Sequence, residues 1–254
     1  MTLYIPGDGF LYRRHPVTKL VFMLCVAFLA FLGPGRWTPL LIFLAALLPL
    51  ALFSGLVRPY GGALWRILAP LAFFLFVLHG LFNPAGRTVL FSVGPVAVKL
   101  EGVVFAALMT SRLLCVLGAS LLFVFTTPPS ALMLGLAQHG APPWLTYVIG
   151  ATLQIIPHMR ARAAAITAAQ QARGLETTGS LRVRARALMP MVTPLVLSSL
   201  VDAEERAIAL EARAFRSSRP KTSLTELADP PVERVARQAC VVCTLLLIGA
   251  GQWL

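Results

Sequence analysis

Apolar positions in this chain come in long unbroken runs, not in the spaced pattern of a soluble helix or strand face. Runs at 17–32, 40–57, 64–82, 101–125 and 235–254 each approach the ~20 helical residues that cross a hydrocarbon layer. Gly33-Pro34-Gly35 stops the first, and Arg58-Pro59-Tyr60-Gly61-Gly62 separates the second from the third. Asn83-Pro84 stops the third and Thr126-Thr127-Pro128-Pro129 the fourth. Pro49 and Pro70 fall inside runs, where neighbouring helices re-satisfy the freed backbone groups. Residues 88–98 alternate weakly around Gly94-Pro95 and predict an extended hairpin. The fold class expected is all-α, a polytopic helical membrane protein with about five transmembrane helices and long amphipathic cytoplasmic helices.

Between Pro128 and Arg237 the pattern changes, for this stretch carries 13 of the 22 basic and 8 of the 10 acidic residues. The chain is therefore divided into a four-span bundle (1–126), a polar region (127–234) and a last span (235–254). In the polar region, Trp144 to Ile156 is apolar but too short to span, and reads as interfacial or re-entrant. An Ala-rich helix follows from His158 to Arg173, with Gly174 as its stop. Pro190 and Pro194 precede a second helix that runs to Phe215, in which Asp202 is spaced to pair with Arg206.

Composition adds orientation and removes some function classes. The chain has 254 residues, 57% hydrophobic and 13% charged, with a net charge of +12. Its aromatic residues lie inside the apolar runs and not among the cations, so no nucleic acid partner is expected; cationic flanks beside a lipid bilayer account for the charge. Arg13, Arg14, Lys19, Arg58 and Arg66 outweigh Arg36, Arg87 and Lys99, which predicts a cytoplasmic N-terminus and an external C-terminus. The first run has no small-x-small cleavage site and is kept as a span. Cys25, Cys115, Cys240 and Cys243 lie in apolar segments, and the Cys240-x-x-Cys243 pair has no second pair or nearby His to complete a metal site. No catalytic, metal or cofactor-binding residues are expected. No Gly-x-x-x-x-Gly-Lys-Ser/Thr loop is present for binding nucleotide.

Two segments forty residues apart share the pattern Ala-x-x-Ala-Arg-small-apolar: Ala169 to Leu175 and Ala209 to Phe215. An arginine between small residues at a helix end can offer its planar fork to acceptors on another protein, with Leu175 or Phe215 as an adjacent apolar anchor. Ala-Arg-Ala also occurs at 161–163 and 185–187, so the tripeptide alone carries little weight against ordinary dipole pairing of cations at helix ends.

Together with Ile5-Pro6-Gly7-Asp8, His15-Pro16-Val17-Thr18-Lys19-Leu20, Thr126-Thr127-Pro128-Pro129 and Ile155-Ile156-Pro157, these segments make most of the chain resemble the T component of energy-coupling factor transporters, the cobalt transporter permease family. The resemblance implies two coupling helices whose ends, Ala172-Arg173-Gly174 and Ala212-Arg213-Ala214, each dock on one of two ABC-type ATPase subunits. In the second, Ala replaces the family's Gly. It further implies a substrate-binding membrane S component as partner, a vitamin or a transition-metal ion such as nickel or cobalt as cargo, ATP hydrolysis on the partner subunits, and a multi-pass location in the cell's inner membrane.

Arg112, in the middle of the fourth run, must face protein or water, because a lipid-exposed arginine there costs about 2.5–3.5 kcal/mol. It is a candidate contact for the S component, or an internal polar anchor. Two other readings compete. A self-sufficient secondary transporter would show inverted repeats around a midplane site, and none is visible. A membrane protease would need Glu-Glu-x-x-x-Arg, whereas here Arg206 follows Glu204-Glu205 directly. His79 with Asn83 is a weak metal candidate beside the ordinary reading of a satisfied polar residue.

Overall fold

The computed structural model describes residues 4–7, 9–82, 88–93, 96–176, 179–217 and 227–253. The expected turns at Asn83-Pro84 and Gly94-Pro95, and Asp8 of the N-terminal lead, lie outside them. In order, the chain forms α1 (Pro16–Leu32), α2 (Thr38–Ile42), a π-helical turn (Phe43–Leu47), α3 (Leu48–Phe53) and α4 (Val57–Phe82). These are followed by β1 (Val89–Val93), β2 (Val96–Lys99), α5 (Leu100–Thr126), α6 (Pro129–Gln138), α7 (Pro143–Ala172), α8 (Leu181–Ala212) and α9 (Pro231–Trp253). It is a helical membrane protein, with one small antiparallel hairpin where β1 pairs β2. The helices separate into two compact units, residues 1–140 with 227–254, and residues 141–226.

In the first unit α5 is the central rod, packed against α4, α1 and α2. Its buried side carries Cys115, Ala119, Leu122 and Phe125, which meet Val26 and Ala30 of α1 and Phe43 and Leu47 of the π-helical turn. Gly118 makes the closest approach: a Cβ there would stand 2.6 Å from the Tyr60 hydroxyl and 3.1 Å from the Phe43 ring. α4 runs antiparallel to α5, with Tyr60 at Gly118 and the His79 and Phe105 rings 4.7 Å apart toward the other end. The outer face of α4 exposes Trp65, Phe73 and Phe74, as suits a helix whose solvent is lipid.

Polar residues close this bundle at one end. Lys19, only 8% exposed, donates from Nζ to the Thr126 carbonyl (2.9 Å), placing its charge on the negative end of the α5 dipole. The Ile5 amide caps the neighbouring Phe125 carbonyl at 3.1 Å. Glu233, in the first turn of α9, accepts from the His15 amide (2.8 Å) and the Thr18 hydroxyl (2.9 Å), with Arg14 at 3.8 Å. Asp229, before α9, receives Arg237 (2.8 Å) and Arg234 (3.1 Å). The Arg237 hydrogen bond is the main reason its carboxyl titrates below the ordinary value.

Several boundaries differ from expectation. α4 starts at Val57, because Pro59 sits in its first turn, where its missing N–H costs no helical bond. The turn is instead at 54–56, with Gly55 at φ +68°. Pro129 opens α6 at its first helical position, so the diproline break also begins a helix that the sequence reading left out. α7 and α8 are continuous through Pro157 and through Pro190 and Pro194, where separate shorter pieces were expected. Among the described residues four helices are long and apolar enough to cross a membrane: Val57–Gly80, Leu100–Thr126, Leu181–Ala212 and Pro231–Gly251, with Pro16–Leu32 and Thr38–Phe53 shorter.

Candidate coupling site

α7 and α8 make up the second unit, and contacts that climb one helix descend the other, so they are antiparallel. The Tyr147 ring meets Phe215 with centroids 5.3 Å apart. Arg162 makes a bidentate pair with Asp202 (2.5 and 3.2 Å). Gln170 Nε2 reaches the Pro190 carbonyl at 3.4 Å. That carbonyl is the one Pro194 leaves without its helical donor, so a side chain of α7 stands in for the missing N–H. A groove of about 350 Å³ lies between the helices, walled by Ala151, Ile155, Met159, Ala203 and Leu210, with the Arg162–Asp202 pair among its lining residues.

The repeated segments turn out to be two copies of one helix-ending device. At the end of α7 the Gly174 amide donates to Gln171 O (2.9 Å) and the Leu175 amide to Gln170 O (3.0 Å), with Gly174 at φ +88°. At the end of α8 the Ala214 amide donates to Glu211 O (2.9 Å) and the Phe215 amide to Leu210 O (3.0 Å), with Ala214 at φ +53°. Both are Schellman caps. The cap explains the small residue, which must turn left-handed, and the apolar residue after it, which folds back on the helix. It explains neither Arg173 nor Arg213, since capping makes no demand on the side chain at that position.

Arg173 and Arg213 are exposed, and neither guanidinium makes a hydrogen bond or ion pair among the described residues. Ala172, Gly174, Ala212 and Ala214 beside them are also exposed, so nothing shields either guanidinium. Because the helices are antiparallel, the two arginines lie at opposite ends of the hairpin. Phe215 is beside Tyr147, and the 26 residues from there to Arg173 rise ~40 Å. Leu175 and Phe215 are half-buried, and the Phe215 ring meets Tyr147 within the hairpin. Asp202 takes Arg162 and not Arg206 as its hydrogen-bonded partner, a correction of the i,i+4 expectation: the guanidinium facing it from α7 is the one within bidentate reach. Arg112 belongs to the bundle unit and not to the hairpin. It is half-buried on α5, with its Nε shielded from solvent and without a hydrogen-bond partner among the described residues. Glu204 and Glu205 are exposed, and among the described residues no group of His, Cys, Asp and Glu could hold a metal ion. Asn83, the suggested partner of His79, lies outside the described residues.

Sequence comparison supplies the class. Residues 8–224 match the family model of the cobalt transport protein CbiQ, and the chain belongs to that family. More particularly, it is 34% identical to the energy-coupling factor transporter transmembrane protein EcfT of Brevibacillus brevis, over 98% of this chain and 96% of that protein. It is 29% identical to the protein of that name from Listeria innocua (99% and 96%) and 27% to that of Leuconostoc gelidum (99% and 96%).

Proposed function

We propose that this chain is the transmembrane T component of an energy-coupling factor importer, in which Arg173 and Arg213 each dock on one of two ABC-type ATPase subunits. The observation that carries the reading is the pair of matched helix ends with exposed, unpaired arginines ~40 Å apart on one antiparallel hairpin. Two charges so far apart suit two separate partners and not one small ligand. ATP hydrolysis belongs to those partners. A substrate-binding S component captures the cargo, a vitamin or a transition-metal ion, and Arg112 is a candidate contact for it.

In this reading the chain lies in the inner membrane with its N-terminus and the hairpin on the cytoplasmic side. α8 is free of charge only from Ala187 to Val201, ~22 Å of helix, which falls short of the ~30 Å hydrocarbon core. In this reading α8, although as a whole long and apolar enough to cross, rests against the membrane because its uncharged stretch is short. Cysteine labelling that reached residues near 180 from outside the cell would overturn that orientation.

The deciding experiment is copurification of ATPase subunits, with substrate uptake, at equal membrane abundance. Arg173→Ala with Arg213→Ala should weaken partner binding by about 2–5 kcal/mol, since acceptors in the docking grooves lose their donors. Arg162 cannot serve as a control, because it holds Asp202, and the Arg186 side chain lies outside the described residues. Arg160 and Arg182, both exposed, replace them, and Arg160→Ala with Arg182→Ala should leave assembly nearly intact. Equal loss in both pairs would show that only bulk positive charge matters. Wild-type behaviour of Arg173→Ala with Arg213→Ala would refute the docking assignment.

A further inference from the structure

In the bundle unit two neighbouring cavities share the residues Arg14, Lys19 and Thr126. One, about 240 Å³, is of mixed character, with Arg13, Arg14, Tyr4 and Tyr12 among its walls. The other, about 340 Å³, is almost wholly apolar, running between Leu11, Phe22, Leu122, Phe123, Ala236 and Cys240. From Glu233 near the junction to Cys240 is two turns of α9, ~10 Å, about the reach of a length of hydrocarbon chain.

The charges at the junction are unequal. Among the described residues Glu233 is the one carboxylate lining either cavity, and it is already engaged by the His15 amide, the Thr18 hydroxyl and Arg14. Against it stand Arg13, Arg14 and Lys19. Arg13 is exposed and makes no ion pair among the described residues. Lys19 is more than nine-tenths buried and spends one of its three N–H donors on the Thr126 carbonyl. A cationic recess opening onto an apolar groove, on the flank of a membrane bundle, has the chemistry of an amphiphile with a negative head. We propose that this double cleft holds one anionic phospholipid, its phosphate against Arg13 and Arg14 and one acyl chain along Phe22, Phe123 and Ala236. A zwitterionic lipid would bring its own cation to the same arginines and gain less. A free anion would leave the apolar groove unused. The inference depends on the membrane bundle alone and stands or falls apart from the docking of Arg173 and Arg213.

The test is native mass spectrometry of the full chain, purified in detergent and supplied with phosphatidylglycerol and phosphatidylcholine of identical acyl chains. The wild type should retain one phosphatidylglycerol in preference to phosphatidylcholine. Arg13→Gln with Arg14→Gln should lower that preference about five-fold for each cation removed. Ala236 is exposed, so Ala236→Phe fills the groove without disturbing the core, and should reduce retention of both lipids. Excess inorganic phosphate should displace neither. Equal retention of the two lipids by the wild type, an unchanged preference in the arginine variant, full retention in Ala236→Phe, or displacement by phosphate would each overturn the proposal. Lys19 is left in place because it caps α5. Because Arg14 faces Glu233, the arginine variant is compared at a melting temperature in detergent equal to the wild type's. Arg13→Gln alone leaves that pair intact and should lower the preference about five-fold.

Discussion

The bundle and the hairpin are both built of long helices but are held together differently. The buried core cluster, from Val26 to Phe125, belongs to the bundle. Among the described residues of the hairpin only Ala187 is a buried apolar residue, and α7 buries none. The hairpin is fastened instead by a guanidinium–carboxylate pair, an amide on a proline-freed carbonyl, and two touching rings. A unit with so few buried contacts opens locally at low free energy. The proposed ATPase contacts, Arg173 and Arg213, thus lie on the part of the chain that depends most on being held by something else.

That contrast can be broken most severely in the bundle. Leu47 is 0% exposed in the π-helical turn, and Leu47→Ala should cost about 2–5 kcal/mol of stability, read from thermal unfolding in detergent. A loss below ~1 kcal/mol would show that lipid or detergent fills the site and that the core is not close-packed. Next, Glu233→Gln keeps the shape but removes the charge facing Arg14 and the amide of His15, and should cost about 1–3 kcal/mol in the same assay. Acidification acts at this end too. Burial pulls His15 below its ordinary 6.5, so the stability this represents is complete above that value and declines as pH falls through it. Asp229, also lowered, contributes above the carboxylate range and loses its contribution further down. The His15→Asn bundle should therefore lose the upper of two steps in a pH titration of melting temperature.

Smaller effects belong to the hairpin. Ala214→Gly should stabilise the end of α8 by up to about 1 kcal/mol, by relieving a left-handed alanine, and Gly174→Ala should destabilise the end of α7 by a similar amount. If the two changes have the same sign, the caps are not equivalent. Least visible globally is Asp202→Asn: overall melting should stay unchanged while amide exchange quickens near Arg162.

Much of this was legible because the governing signals are local. Apolar run length gave helices at all five expected places, the weak alternation at 88–98 gave β1 and β2, and Thr126 is where α5 ends. The two Ala-Arg-small segments were visible as a repeat, and their positions at the ends of helices agree with the structure. What was not legible depends on partners distant in sequence. Pro194 reads as a helix breaker until Gln170 is seen on its freed carbonyl. Arg162 reads as one more Ala-Arg-Ala until Asp202 is placed opposite it. Lys19 and Glu233, 214 positions apart, look like flanking charges, and only folding shows them closing the same end of the bundle.

The uneven rod lengths bear on the bilayer as an elastic medium. α1 has 17 residues and reaches ~25 Å, while α4 and α5, with 26 and 27, reach ~40 Å against a hydrocarbon thickness of ~30 Å. The long helices relieve the mismatch by tilting, and the short ones by drawing the surrounding leaflets together, at a fraction of a kcal/mol for each ångström. Lipid tail length is therefore a mechanical variable for this protein: thinner membranes relax the α1 flank and thicker ones strain it.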